Sequence, residues 1–453
     1  MELSHWLNTH IHAMGDRNGI IYKERTYTYR EIFRKTGRYL QIFEKRIDPG
    51  DVVAILSDYS VDSIALFLAL IENRNIIVPI TSRVDKEIEF RVQEAYTDYI
   101  LSFYDDKLVI NAVNDSSEKV EKHLLLLKIA ARKHAGVILF SSGSTGRPKA
   151  MVHDLDQLLK SYQGKPVNDS RIIVFLMFDH IGGLNTLLNA FVMGSTIAIP
   201  ENRDAAYICS LLEKYKINIL PSSPTFLNLI MMGEIYKDYD LSSLRLITYG
   251  TETMPESLLE KIVRIFPDVK LLQTFGTSET GIARTSSKSS NSTFMKMKGG
   301  HHEYKVVSNE LWLRSGTQIL GYLNASMDSF TEDGWFKTGD LVEQTDDGYI
   351  RIIGRVKEVI NVGGEKVLPA EVESILLDMN EIVDCMVYGI SNSITGMAVA
   401  ADVVLKDGVR TDNFKRDVRK FCRDKLDKYK IPAKIKIVGK TNFGERFKKM
   451  RNR

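Results

Sequence analysis

The chain of 453 residues is 44% hydrophobic and 26% charged, with 61 Lys and Arg against 58 Asp and Glu and a formal net charge of +3. That is ordinary globular composition, long enough for more than one domain; it argues against disorder and gives no basic signature of nucleic-acid binding. Cys209, Cys385 and Cys422 are too few and too widely spaced for a disulfide framework or a structural zinc.

The start, "MELSHWLNTHIHAMGDRNG", has no positively charged region leading into an apolar core. The longest apolar run, "SIALFLALI", is far short of a bilayer span. The expectation is a soluble, cytoplasmic protein with no membrane span.

The first clear element is "TYREIF", a capping box with Thr28 as N-cap and Glu31 three residues on, opening an amphipathic helix. The strand "DVVAIL", an apolar helix around Ile64 to Ile71 and the strand "NIIVPI" then make a βαβ unit. Next comes "VILFSSGSTGRPKA", an apolar run followed by a loop of small hydroxyl residues and glycines. Gly143 and Gly146 let the main chain approach a ligand closely. Free N–H groups and the hydroxyls of Ser141, Ser142, Ser144 and Thr145 would form a concave donor surface suited to phosphate, with Lys149 adding a mobile charge. A flexible surface turn is the alternative. The loop is not a Walker A loop, because G-x-x-x-x-G-K-[ST] is absent.

The alternation resumes with "RIIVFLMF", a helix near Leu184 to Phe191, "STIAI", a helix near Ala205 to Tyr215, and "INIL". It continues through "LRLITYG", a helix from about Glu256, and "VKLLQTFG". Such alternation predicts parallel sheets covered by helices, with ligands at the carboxyl ends of strands. After Gly281 the polar "RTSSKSSNST" reads as a mobile surface loop. "NELWLR" and "GYIRIIGR" read as hairpin strands, with Asp-Gly turn chemistry in "TDDGY". Beyond about Lys357, helices "PAEVESILLDM" and "DNFKRDVRKFCRDKL" flank strands "DCMVYGI" and "AVAADVVL", enough for a separate α+β domain.

Four more loops fall where sheet-end chemistry belongs: "FDHIGGL" with His180, "TYGTETMPE", "TFGTSETG" and "GWFKTGDL" with Asp340. Singly, each has a bland reading: a satisfied core histidine, a helix-start charge, a turn aspartate. In order, "SSGSTGRPK", "FDHIGGL", "TFGTSET", "GWFKTGDL" and "GRVKEVINVGGEKVLPAEVE" resemble the core motifs of the adenylate-forming superfamily, which unites acyl-CoA synthetases, peptide-synthetase adenylation domains and luciferases. The resemblance covers nearly the whole chain.

It implies an α/β fold: a large N-terminal domain, 1–354, of parallel and mixed sheets covered by helices with a β-barrel-like portion, then a small, mobile α+β lid domain, 355–453, hinged near Lys357. It implies a carboxylate attacking the α-phosphate of ATP, then a pantetheine thiol displacing AMP. Ser141, Ser142, Gly143, Ser144, Thr145 and Gly146 would embrace the outer phosphates, with Lys149 supporting them. Phe275 and Gly276 would lie against adenine, with Gly250, Thr251 and Glu252 on its other face. Thr277 would contact the α-phosphate, Glu279 would hold Mg²⁺, and Asp340 and Arg355 would bind the ribose. Gly363 and Gly364 would border the pantetheine tunnel. His180 would sit beside the acyl carboxylate, which favours a substrate without an α-amino group, unless a register shift brings Asp179 there instead.

Two departures stand out. The family's closing T-x-x-G-K-x-x-R appears as "TNFGERFKKMR", with Glu445 at the lysine position, so that Arg446, Lys448 or Lys449 would have to supply the charge; Lys448 is the residue assigned here. Only about fifty-five residues separate "NIIVPI" from the phosphate loop, which trims the large domain. The expected activity is an AMP-forming acid-thiol ligase for a fatty or aryl acid, using ATP, Mg²⁺ and coenzyme A. The alternatives are loading of an acyl carrier protein through its phosphopantetheine, and a nucleotide- or adenylate-binding protein impaired in catalysis. Pocket-lining residues should come from "FDHIGGLNTLL", "SSPTFLNLIM" and "TYGTETM", whose apolar Leu184, Phe226, Leu227 and Ile230 suit a fatty or aryl acid, although apolar residues in helices are more often core than pocket.

Overall fold

The computed structural model describes residues 3–113, 121–141 and 147–441. Its apolar runs pair in parallel and are buried on both faces. Val52–Leu56 lies beside Ile76–Ile80, with Val52 opposite Ile76 and Leu56 opposite Ile80. The helix Val61–Glu72 makes the crossover, completing the expected βαβ unit. Val53 and Ile55 enter one core and Val52 and Ala54 another, so the strand reads as a continuous apolar run rather than an alternation.

This seven-stranded sheet is extended by Tyr99–Tyr104, Lys107–Ala112, Gly136–Ser141, Lys149–Asp154 and Gly321–Tyr322. A second seven-stranded sheet runs in the order Lys270–Gln273, Leu246–Tyr249, Ile219–Ser222, Arg171–Ile173, Thr196–Ala198, Asn18–Tyr22 and Arg25–Thr28. Between the two sheets lie the helices Leu3–Ala13, Tyr29–Phe43, Val61–Glu72, Leu155–Lys160 and Ile181–Val192, whose Leu7, Tyr29, Phe67 and Leu188 share a core with Val53 and Ile197 of the sheets. Ala205–Lys214, Pro224–Met232 and Glu256–Ile265 cover the outer face of the second sheet, and Asp85–Glu94 and Leu124–Arg132 that of the first. The result is a helix–sheet–helix–sheet–helix stack.

The capping box is present: Thr28 Oγ1 accepts from Glu31 N at 3.2 Å, and Glu31 Oε2 accepts from Thr28 N at 2.8 Å. Tyr29, Ile32, Thr36, Tyr39 and Phe43, three or four apart, form the buried stripe of that helix.

Two local expectations need correction. Only Arg171–Ile173 of "RIIVFLMF" joins the ladder; beyond Val174 the chain leaves the sheet. Part of "RTSSKSSNST" is not loop, because Thr285–Ser287 pairs antiparallel with Met295–Met297. Backbone ladder bonds do not need apolar side chains, and a short edge strand is often polar. The β-barrel-like portion takes the form of a six-stranded antiparallel sheet, His302–Val307 and Glu310–Ser315 forming one hairpin and Phe336–Gln344 and Ile350–Arg355 another, around Met295, Leu311, Leu313, Val342 and Ile350.

Residues 360–437 build a smaller five-stranded sheet, with the helices Pro369–Leu377 and Phe414–Arg423 packed through Val372, Leu376, Val418 and Cys422. It meets the larger part where Asn228 Nδ2 donates to Val383 O at 3.3 Å. The mixed α/β class, with a large sheet-bearing part followed by a small α+β part, is as expected. All three cysteines are free and buried. Among the described residues no helix is long and apolar enough to cross a membrane.

Candidate active site

The carboxyl ends of strands from both seven-stranded sheets open into one cavity of about 610 Å³. Ser141 and Lys149, opposite each other in the ladder, contribute from one sheet. His180, Gly250, Thr251 and Glu279 contribute from loops that follow strands of the other, and Phe275, Gly276 and Thr277 from a short strand paired antiparallel with Gly281–Ala283. Ser142, Gly143, Ser144, Thr145 and Gly146 lie outside the described residues, as do Glu445 and Lys448.

Lys149 Nζ stands 4.9 Å from the centroid of the Tyr322 ring, and Tyr322 Oη donates to Glu279 Oε1 at 3.1 Å. Burial raises the Glu279 carboxyl above its usual range, opposed by the Tyr322 hydrogen bond and the charges of Lys149 and Arg355. A desolvated carboxylate of this kind gains from a dication, and a hard oxygen donor suits Mg²⁺.

The turn that carries Thr277 and Glu279 is pinned from several sides. Thr277 Oγ1 accepts from Thr280 N at 3.1 Å, and His302 Nε2 lies 2.9 Å from Thr280 O, which also accepts from Thr317 Oγ1 at 3.2 Å. Ile319 N donates to Glu279 O at 2.8 Å. Beneath it the fully buried His153 faces the Ser278 backbone, and burial lowers its imidazole to about 4.

Asp340 and Arg355 are partners across the strand ladder, and Arg355 Nε donates to Asp340 Oδ1 at 2.8 Å. Asp340 is only 3% exposed. Its charge raises the Arg355 guanidinium further above an already high range. Gly250 has no room for a side chain: a Cβ would lie 2.7 Å from Thr274 O. Glu252 turns its carboxylate to the start of helix Pro224–Met232, accepting from Thr225 Oγ1 at 2.6 Å. Asp340 lines not that cavity but a wider cleft of about 1170 Å³ that reaches Met379, Asn380 and Val383 of the smaller part, while Arg355, Phe275, Gly250 and Gly276 border both.

His180 is the N-cap of helix Ile181–Val192, its Nδ1 accepting from Gly182 N at 3.0 Å. An accepting Nδ1 leaves the ring proton of neutral His180 on Nε2. Gly183 admits the preceding segment onto this helix, since a Cβ there would sit 2.1 Å from Met177 O. Phe175, Leu176 and Met177 are thereby held in the cavity wall. Asp179 is buried against Arg91, with Nη1 2.8 Å from its Oδ2, and does not line the cavity.

Some expected residues are elsewhere. Leu184 packs in the core between the sheets, and Phe226, Leu227 and Ile230 in the core outside the second sheet, so the apolar wall is instead Phe175, Leu176, Met177, Ile181 and Pro221. Each of the four sits on a helix face that covers a sheet, and burial there outcompetes exposure to a cavity. Gly363 and Gly364, with φ of +61° and +94°, form a two-residue turn between Ile360–Val362 and Glu365–Val367, away from both cavities. Lys357, in the short turn Val356–Glu358, does line the cavity. Sequence reading missed Tyr322, His153, His302 and Arg203. Of these only His153, a lone histidine in the apolar "KAMVHD" strand, left a signal.

A sheet-end cavity bordered by glycine loops puts the chain among the α/β proteins whose ligand sites lie at the carboxyl ends of strands. The family model described as "AMP-binding enzyme" matches residues 7–310, and "AMP-binding enzyme C-terminal domain" matches residues 371–444. The chain belongs to the AMP-binding enzyme family, as the ordered motifs imply. It is 29% identical over 326 residues to 4-coumarate–CoA ligase-like 2 of Arabidopsis thaliana, a match covering 66% of this chain and 57% of that protein. It is 25% identical over 433 residues to the long-chain-fatty-acid–CoA ligase FadD13 of Mycobacterium tuberculosis, covering 86% of this chain and 84% of the relative. The chain thus spans under three-fifths of the length of the plant relative. Its fold matches the anthranilate CoA ligase AuaEII in complex with anthranoyl-AMP, with TM-score 0.82, 18% identity and coverage of 99% and 95%. It also matches o-succinylbenzoate CoA synthetase of Bacillus subtilis with ATP and magnesium, with TM-score 0.77, 20% identity and 98% of each chain covered.

Proposed function

We propose that this protein is an AMP-forming acid-thiol ligase that activates a fatty or aryl carboxylic acid lacking an α-amino group and transfers it to coenzyme A. The observation that carries the reading is that Lys149, Thr277, Glu279 and His180 line one cavity. The kinship with named CoA ligases of both aryl and long-chain acids supports it.

In this reading ATP binds with adenine against Phe275 and Gly276 and the Gly250–Glu252 backbone. The Asp340 carboxylate accepts from the ribose hydroxyls, and Arg355 fixes that carboxylate. Ser141 to Gly146 and Lys149 hold the outer phosphates, Thr277 donates to the α-phosphate, and Glu279 holds Mg²⁺. Mg²⁺, when bound, neutralises charge that builds on the departing pyrophosphate. His180 orients the acyl carboxylate, and Lys448 supplies the cation that Glu445 does not. Oxyanion-type donors and cations placed before attack stabilise the charge of the transition state.

Residues 1–354 and 355–453 act as two domains hinged at Lys357, and rotation brings Gly363 and Gly364 to the pantetheine arm. The test is pyrophosphate release from ATP and Mg²⁺ with hydroxylamine as trap, across fatty and aryl acids, followed by mass-spectrometric detection of the coenzyme A thioester. Acid-dependent release with thioester formation is expected. ATP binding without release for any acid would overturn the ligase reading in favour of a nucleotide-binding protein. Transfer only to a holo-carrier protein would overturn the choice of acceptor.

A further inference from the structure

The wall of the cavity beyond His180 is not apolar throughout. Arg203, in the loop after the strand Thr196–Ala198, lines it together with Asn185 and Thr186 of the His180-capped helix. The Arg203 side chain is 17% exposed and rigidly held: Nε donates to Phe175 O at 2.6 Å and Nη2 to Asp58 Oδ2 at 2.8 Å. Asp58 in turn accepts from Phe178 N at 3.2 Å. One carboxylate therefore meets the charge, while the Nη1 donors make no hydrogen bond among the described residues.

Asn185 is oriented in a matching way. Its Oδ1 accepts from Tyr162 Oη at 3.0 Å and from Asn189 Nδ2 at 3.0 Å, which leaves the amide N–H₂ as its outward-offered group. Thr186 spends its proton on Gly182 O at 2.9 Å. Arg203 and Asn185 thus offer N–H donors to this part of the wall. A hydrocarbon tail filling this end would bury those donors without partners, which a site rejects strongly, whereas an oxygen on the tail would pair them. Because Asp58 already compensates Arg203, a second full negative charge is not what the site lacks.

We propose that the acid taken by this cavity carries a neutral hydrogen-bond-accepting oxygen on its tail, a carbonyl or hydroxyl, read by Arg203 and Asn185. The proposal rests on the ligase reading and names its substrate class. Three acids matched in length are compared by kcat/KM for pyrophosphate release: a plain alkanoic acid, its oxo- or hydroxy-substituted counterpart, and the dicarboxylic acid. The oxygenated acid should lead the other two by about tenfold or more. Arg203→Met should collapse that ratio, and Asp58→Asn, which leaves the guanidinium uncompensated, should move preference toward the dicarboxylic acid.

Equal or better use of the plain acid by the wild type, or an unchanged ratio in Arg203→Met, would overturn the proposal. If Arg203→Met no longer binds ATP by calorimetry, Asn185→Leu supplies the same comparison. Should no acid give pyrophosphate release, the ligase reading itself falls. Calorimetric titration of the same three acids into wild type and Arg203→Met with AMP present then decides the tail contact separately, equal affinities sinking it and a preference lost in the variant upholding it.

Discussion

At the proposed nucleotide end, side chains of the cavity and the adjoining cleft find partners nearer in the chain: Thr277 with Thr280, three residues on, Asp340 with Arg355, fifteen residues on across a hairpin, and Glu279 with Tyr322, 43 residues on. At the proposed acyl end the separation that matters is far longer, 145 residues between Arg203 and Asp58. The nucleotide end is therefore set mainly by loop and hairpin geometry, which each segment carries with it. The Arg203 contact at the proposed acyl end forms only when the segments carrying Asp58 and Arg203 come together. Changes at the first should weaken the handling of ATP for every acid alike, and changes at the second should alter which acid is used.

The sharpest test is Lys149→Ala. Removing a cation from the phosphate side should lower kcat for pyrophosphate release by about 10²–10³, the loss typical of one transition-state donor. The loss should be the same within a small factor for aryl and alkyl acids. A loss confined to one class of acid would break the division between the two ends.

His153 gives a test that needs no substrate. Its folded imidazole lies near 4, below the ordinary value of 6.5, because burial disfavours the charged form. The unfolded chain then binds more protons between those two values, so stability is fully present above about pH 6.5 and falls as pH drops toward 4. The size is about 3 kcal/mol by the usual conversion. Urea unfolding at several pH values should show His153→Gln losing less stability than wild type across that window. Parallel slopes would mean the ring is not held neutral under the Ser278 turn.

Gly183→Ala addresses the other end. The new Cβ would meet Met177 O at 2.1 Å, so residues 175–177 must move away from the helix. Overpacking of this kind costs about 1–3 kcal/mol. The expected signature is a changed ratio of kcat/KM between matched acids with ATP affinity within twofold of wild type by calorimetry. An unchanged ratio would show that the diglycine serves packing alone.

The same contrast explains what could be read from the chain. Thr28 and Glu31 announce their helix because a capping box is a three-residue device, and "DVVAIL" and "NIIVPI" announce buried strands because both faces are covered. Residues matched by motif, such as Lys149, Phe275, Thr277 and Glu279, do meet in one cavity, since each motif fixes its own loop. Leu184, Phe226, Leu227 and Ile230 could not be told from pocket residues, because an apolar residue on a helix reads the same whether it faces a core or a cavity. Arg203 and Tyr322 were invisible for a related reason: their partners, Asp58 and Glu279, are 145 and 43 residues away, and no local pattern marks them.

Thr28→Ala supplies the smallest expected effect and the control for the rest. Thr28 caps the helix Tyr29–Phe43, far in sequence from every cavity residue, and its loss leaves the Glu31 N–H without its side-chain acceptor. The cost should be about 1 kcal/mol, read as a lower midpoint in thermal unfolding. Because that helix packs between the two sheets, the destabilisation passes through the same core on which the acyl end depends. If the acyl end tolerates a general loss of stability, the ratio between acids will match wild type at temperatures well below the midpoint. A shift in that ratio equal to the one from Gly183→Ala would show that acid choice follows overall stability, and the proposed local contact of residues 175–177 with the helix start would lose its special standing.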